Sequence, residues 1–298
     1  MHPGELTITV TTVRALVEAQ FPQWQGFDVE RVASGGTVNA LFRLGLELSA
    51  RFPLEPDDPE STRQSLRAEA AAARTLLGRT PFATPEPVAL GEPGSGYPLP
   101  WSVQTWVPGT PATGEGISDL DGLARDLADF IAGVQTIDTG GRTFAGHGHG
   151  RGGDLRSHDE WMEQCFFRSE QLLDVARLCR IWADLRELPR TDRDVMTHGD
   201  LIPGNILVAG GRLVGVIDVG GLGPADPALD LVCAWHLFDD AARQSLRHAV
   251  GCDDLQWERG KAWAFQQAMG LVWYYSLSHP SMSAMGRRTL QRIVADSA

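Results

Sequence analysis

A chain of 298 residues with 43% hydrophobic residues is long enough to bury a full core and suits two lobes. Its net charge of −12 argues against a nucleic-acid or anionic-membrane binder, because both require a basic surface. The same charge suits a cationic small-molecule substrate. Cys165, Cys179, Cys233 and Cys252 have no CxxC spacing and are too sparse for a disulfide framework, so they read as buried free thiols. The opening MHPGELTITV lacks the pattern of a signal peptide, and no apolar run reaches the roughly 18 residues of a membrane span. A cytoplasmic protein is expected.

In chain order, a first helix is expected over residues 12–20, capped by Thr11 or Thr12, with Val13, Leu16 and Val17 as its apolar stripe and Pro22 as its stop. FDVERVASGGTVNALFRLGLELSARF then reads as two or three strands. In the turn between the first two, Gly35 and Gly36 permit close backbone approach, and Ser34 and Thr37 add donors suited to covering nucleotide phosphates. A Gly-Gly hairpin with no ligand would look the same. RFPLEPDD reads as a loop, and Ser61 with Gln64 as a capping box opening a helix with Leu66, Ala70, Ala73 and Leu77 on one stripe. Glu69 lies beside that stripe, and helix geometry alone favours a solvated position for it. Two further strands, PEPVALGE and YPLPWSVQTWVPG, complete a five-stranded antiparallel sheet by about residue 106. The segment 103–109 is the candidate hinge, with Val103 and Trp106 expected against a nucleotide.

Beyond it the chain is mainly helical. Ser118 with Asp121 is expected to begin a helix bearing Leu120, Leu123, Leu127, Ile131 and Val134, followed by a glycine-rich loop over 140–154. His147 and His149 in that loop have no carboxylate neighbours and read as loop rather than metal ligands. One broken or two consecutive helices follow over 158–188, with Leu172 among the expected core and Glu160, Glu163 and Glu170 on the polar face. Pro227 sits in the first turn of a helix reaching Phe238, and further helices are expected near 240–250, 255–277 and 284–296.

The chemistry concentrates in MTHGDLIPGNILVAGGRLVGVIDVGGLGPADPALD, residues 196–230. Phosphoryl transfer needs a carboxylate to orient the attacking hydroxyl and oxygen ligands to hold Mg²⁺ against the phosphates. Asp200 and Asn205, five apart on one loop, and Asp218 after an apolar hairpin supply those groups.

HGDLIPGN followed by IDVGG and DPALD, behind a sheet-rich N-terminal part, resembles the aminoglycoside phosphotransferase family, relatives of the protein kinases. The resemblance implies an α+β, protein-kinase-like two-lobe fold. Residues 1–106 would form the nucleotide-binding lobe, with a five-stranded sheet and a helix, and 107–298 the mainly helical catalytic and substrate-binding lobe. It further implies Asp200 as catalytic base, Asn205 and Asp218 as Mg²⁺ ligands, and ATP or GTP as co-substrate. His198 would orient the catalytic loop, Asp226 and Asp230 would brace it, and Glu69 would turn inward toward a strand cation. Kinases place a lysine there, but Lys261, the sole lysine, stands far down the chain, so Arg51 is expected to clamp the phosphates.

The interval from Asp218 to Asp226 is too short for a long activation segment, which disfavours a protein substrate. The expected activity is Mg-dependent phosphorylation of a small-molecule hydroxyl, with an aminoglycoside first and a macrolide, peptide antibiotic or metabolite as alternatives. A nucleotide-binding pseudokinase or sensor is the competing class, motivated by the missing lysine. Monomer and dimer are equally compatible with the sequence.

Overall fold

The structure is a computed structural model that describes residues 5–32, 38–113, 117–146 and 150–296. The turn residues Ser34, Gly35, Gly36 and Thr37, and the loop residues His147 and His149, lie outside the described residues. The chain divides into two compact units: Met1–Leu77 with Ala83–Pro108, and Gly78–Phe82 with Gly109–Ala298.

The first unit is built on an antiparallel sheet. Strands β1 (Val29–Arg31), β2 (Asn39–Leu44), β3 (Leu48–Pro53), β4 (Pro87–Gly91) and β5 (Trp101–Thr105) are ordered β1-β2-β3-β5-β4, the expected five strands. Alternation along β2 sends Ala40, Phe42 and Leu44 to one face, where Ala50 and Phe52 of β3 and Trp101 and Val103 of β5 join them. Helix α1 (Val10–Gln20) covers that face with Val13, Leu16 and Val17. Trp101 stacks on Phe52 with ring centroids 4.8 Å apart, and a Cβ at Gly91 would fall 2.1 Å from the Trp101 ring, so β4 needs glycine there.

Because Ala50 and Phe52 face this core, Arg51 between them points to the opposite face. There helix α2 (Pro59–Leu76) packs on β4 and β5. Its cap corrects the expected capping box. Asp58 accepts from the N–H groups of Glu60 and Ser61, and Pro59 occupies the first helical position, where a missing N–H costs nothing. The buried stripe is Thr62, Leu66, Ala73 and Leu76, while Leu77 is exposed. Arg51 and Phe52, where the expected third strand and the expected loop overlap, belong with Pro53 to β3.

The second unit is mainly helical: α3 (Leu120–Gln135), α4 (Asp159–Ser169), α5 (Val175–Leu185), α6 (Val232–Leu237), α7 (Asp240–Val250), α8 (Asp254–Tyr274) and α9 (Pro280–Asp296). Helix α8 is buried nearly all round and packs on α4, α5, α6 and α9. Asp119 caps α3 in place of the expected Ser118. Pro227 precedes a 3₁₀ turn at Leu229–Leu231 rather than one continuous helix. Leu172, expected in the core, is 36% exposed, and Cys179 is likewise exposed. None of the described helices is long and apolar enough to cross a membrane. Lys261 is buried between Glu258 and Asp296, with Nζ 2.6 Å from Asp296 Oδ2 and 5.3 Å from the Trp235 ring centre, so it ties α8 to α9.

Short strands in this unit position the chemistry. β7 (Val195–Thr197) pairs antiparallel with β10 (Gly223–Ala225), and the hairpin β8 (Ile206–Ala209) and β9 (Arg212–Val216) is edged by β6 (Thr110–Pro111).

Candidate active site

The loop leaving β7 carries His198, Gly199 and Asp200, and its backbone is held from below by one buried carboxylate. Asp230 Oδ2 accepts the His198 N–H at 2.8 Å and Oδ1 accepts the Gly199 N–H at 2.9 Å. Burial pushes the Asp230 carboxyl up, against the opposing pull of His198 and the two backbone donors. His198, itself fully buried, accepts the Asp200 N–H on Nδ1 at 3.3 Å and donates from Nε2 to the Ile217 carbonyl at 3.2 Å. The ring therefore joins the residue before Asp218 to the backbone of Asp200.

A 3₁₀ turn at Pro203–Asn205 brings Asn205 back, and its Nδ2 donates to the Asp200 carbonyl at 2.9 Å and to Asp200 Oδ2 at 3.1 Å. The β8–β9 hairpin then closes with the Ile217 N–H on the Asn205 carbonyl at 2.9 Å, setting Asp218 at the same hairpin end as Asn205. Asp218 adopts the left-handed conformation at φ 62, which a non-glycine residue takes up only at a cost of about 1 kcal/mol or more. Gly199 lies against Gly221, where a Cβ would fall 3.1 Å from the Gly221 carbonyl oxygen. That spacing lets the Asp200 and Asp218 loops touch through backbone.

With Nδ2 committed to Asp200, Asn205 has its amide oxygen to offer a metal, and Asp218 adds a carboxylate. Among the described residues no cluster of three or more His, Cys, Asp or Glu could hold an ion. Two oxygens fit Mg²⁺, which takes its other ligands from phosphate and water.

Two partners of Asp200 come from distant segments and carry no local sequence signal. Arg151 Nη2 lies 3.2 Å from Asp200 Oδ1, and Gln267 Nε2 of α8 donates to the same oxygen at 2.9 Å. Gln267 is oriented in turn, because His236 Nε2 lies 2.9 Å from its Oε1 and His236 Nδ1 lies 2.9 Å from Thr289 Oγ1. Burial lowers the His236 pKa to about 4, so the ring is neutral at pH 7 and carries its proton on Nε2 to meet the Gln267 oxygen. The amide N–H₂ is thereby left for Asp200.

Asp226 braces a different element. Its carboxylate accepts from Arg259 Nε at 2.8 Å, Trp263 Nε1 at 3.0 Å and the Ala228 N–H at 3.0 Å. The exposed Glu160 and Glu163 lie on α4, and Glu170 directly follows it.

In the sheet unit, Arg51 Nη1 lies 3.0 Å from Glu69 Oε2, with side chains 16% and 35% exposed. Trp106 carries the Arg43 guanidinium 4.9 Å over its ring. The Val103 side chain, 1% exposed, belongs to the sheet core.

A model of a phosphotransferase enzyme family matches residues 28–263. An aminoglycoside 3'-phosphotransferase of Escherichia coli is 33% identical over 79 residues, and one of Salmonella typhimurium aligns to the same extent. The aligned stretch spans 25% of this chain and only 29% of each relative. Among solved structures, the GDP complex of aminoglycoside 2'-phosphotransferase-IIIa superposes with a TM-score of 0.73 at 17% identity, covering 98% of this chain and 100% of that one. A GDP and kanamycin complex of a similarly named enzyme gives 0.73 at 19%, covering 96% and 99%. A macrolide 2'-phosphotransferase from Brachybacterium faecium gives 0.62 at 16%, covering 92% and 97%. At those identities the likeness is one of fold, that of aminoglycoside and macrolide kinases. The family match covers most of the chain, including the loop of Asp200 and Asn205 and the turn of Asp218, and the chain belongs to the phosphotransferase enzyme family.

Proposed function

We propose that this protein transfers the terminal phosphoryl group of ATP or GTP to a hydroxyl of a small molecule, with Asp200 as the catalytic base. The observation that carries the reading is the joint placement of Asp200, Asn205 and Asp218, tied through His198 and Ile217. Asp200 takes the proton as the acceptor oxygen bonds phosphorus, and Asn205 keeps the carboxylate aimed. Asn205 and Asp218 would hold Mg²⁺, which when bound neutralises charge on the phosphates. In the sheet unit, Arg51, steadied by Glu69, would bind phosphate oxygens with its planar fork of donors. Residues 1–106 would then serve the nucleotide and 107–298 the acceptor.

An aminoglycoside is the favoured acceptor. The net charge of −12 and the exposed Glu160, Glu163 and Glu170 suit a polycation, and fold relatives include an enzyme solved with GDP and kanamycin. A macrolide is the alternative that a second fold relative supports. The arginine at position 51 favours one other reading, a nucleotide-binding sensor without transfer.

The test is to incubate the protein with Mg·ATP or Mg·GTP and a panel of aminoglycosides, macrolides and other hydroxyl compounds, and to follow products by mass spectrometry. An acceptor heavier by one phosphate supports the reading. Nucleotide binding without any product across the panel would replace it with the sensor.

A further inference from the structure

We propose that Arg151 is a catalytic residue of the transfer step, its guanidinium stabilising the charge that builds on the phosphoryl group in flight. The inference rests on the phosphotransfer reading above.

Arg151 is built into the site rather than resting on it. Its side chain is 13% exposed and reaches Asp200 Oδ1 at 3.2 Å. The backbone around it is clamped at three carbonyls: His158 Nε2 meets the Gly150 oxygen at 3.0 Å, the Asp226 N–H meets the Gly152 oxygen at 2.9 Å, and Arg259 Nη2 meets the Gly153 oxygen at 3.4 Å. The clamp is anchored by the Arg259–Asp226 ion pair, whose side chains are 3% and 2% exposed. Gly152 sits at φ +94, and a Cβ there would fall 2.6 Å from the Ala225 Cβ, so this stretch is pressed onto β10. A buried ion pair is costly to form and is poorly explained by the need to hold one more surface salt bridge.

Orientation alone does not explain Arg151 either. Two neutral amides, Asn205 Nδ2 on Oδ2 and Gln267 Nε2 on Oδ1, already aim the carboxylate. The guanidinium adds a fixed positive charge beside the base. During transfer the acceptor oxygen lies within hydrogen-bond reach of Asp200 while it approaches phosphorus, so a cation touching Asp200 is within reach of the equatorial phosphoryl oxygens. A guanidinium has five N–H donors in a fixed fork and can serve the carboxylate and a phosphoryl oxygen together. In the step, the acceptor oxygen forms its bond to the γ-phosphorus and its proton passes to Asp200. The bond from that phosphorus to the bridging oxygen breaks, and the nucleoside diphosphate leaves with the electron pair. Arg151 keeps all its protons.

The experiment compares the full-length protein with Arg151→Ala, Arg151→Met and Arg151→Lys in two measurements. The first is turnover of Mg·ATP and Mg·GTP, with water as acceptor and with any acceptor found in the panel. The second is the affinity for Mg·GDP alone against Mg·GDP with aluminium fluoride, a mimic of the transferring group. Arg151→Ala is expected to lower kcat about 10²–10³-fold and to weaken the fluoride complex by a similar factor. Its Kd for Mg·GDP alone should stay within about threefold, and Arg151→Lys should recover part of both losses. Should Arg151→Ala fail to fold, Arg151→Met, which keeps the stem without the charge, takes its place. Turnover within about threefold of wild type in the charge-free variant, or equal weakening of both GDP complexes, overturns the proposal. If the wild type consumes no nucleotide, the phosphotransfer reading itself fails. If the wild type is active and Asp200→Asn is not, only the role of Arg151 is at stake.

Discussion

The two regions proposed to serve the phosphates are constructed differently. In the sheet unit, Arg51 and Glu69 join neighbouring elements, β3 and α2, in a pair that is partly open to water. In the helical unit, the Asp200 carboxylate receives donors from residues 151, 205 and 267, while its backbone is set through His198 by Asp230. A partly exposed pair can shift at small cost, whereas a carboxylate fixed from three chain segments holds its position against thermal motion. That contrast suits a division of labour in which the sheet unit tolerates variation in its cation and the helical unit tolerates none in its base.

The largest expected effect follows from breaking the fixed side. Asp200→Asn should lower turnover by about 10³-fold or more, because the amide cannot accept the acceptor proton, while nucleotide affinity stays within a few-fold. Steady-state kinetics beside calorimetric nucleotide binding would check it. Turnover near the wild-type level would mean that Asp200 is not the base.

That prediction draws on what was legible in the sequence, and the rest shows where legibility ended. Asp200, Asn205 and Asp218 were readable because a loop of five residues and a short hairpin bring them together, so spacing alone carries the geometry. Arg151 and Gln267 were not, because their contacts span 49 and 67 residues and depend on how α8 packs, which no local pattern encodes. The strands of the five-stranded antiparallel sheet were legible from alternation and turns, but their order was not, because pairing of β5 between β3 and β4 is set by tertiary contact. The caps fall at Asp58 and Asp119 rather than at the expected Ser61 and Ser118, because two polar residues near each helix start compete and the acidic one wins. Strand alternation likewise directs the Val103 side chain into the core whatever its distance from the expected hinge.

A second break targets the support of the base. Asp230→Ala leaves the buried His198 N–H without its acceptor, at about 1–3 kcal/mol, and the part-buried Gly199 N–H without its own at a smaller cost. The urea midpoint of the helical unit should fall accordingly, and turnover should fall with it even where the protein is folded. An unchanged midpoint would show that other groups hold the loop.

A third, smaller effect depends on pH. The folded His236 pKa of about 4 lies below its usual value of 6.5, with burial as the main cause, Arg151 and Arg292 acting in the same direction, and Gln267 and Asp200 opposing. The unfolded chain therefore binds a proton that the folded chain refuses between these values, and stability is lost as pH falls from about 6.5 toward 4. The contribution is at most about 3 kcal/mol. His236→Asn should flatten this part of the stability profile, and an equally steep profile in the variant would assign the slope to other groups.

The smallest expected effect tests the tolerant side of the comparison. Arg51→Ala removes the guanidinium beside Glu69 and leaves that carboxylate facing the phosphates, so Kd for Mg·ATP or Mg·GTP should rise about tenfold, or about 1.4 kcal/mol. Turnover at saturating nucleotide should change less, because binding to phosphates distant from the bond being broken is shared by ground and transition states. Arg51→Lys should lie between the two, since an ammonium on a flexible stem keeps the charge and the pairing with Glu69 but loses the bidentate fork. If Arg51→Ala instead lowered kcat as much as Asp200→Asn while sparing Kd, the sheet unit would be as intolerant as the helical one and the division of labour would fail. If neither constant moved, Arg51 would serve only to join β3 to α2, and the phosphate-binding cation of this chain would have to be sought elsewhere.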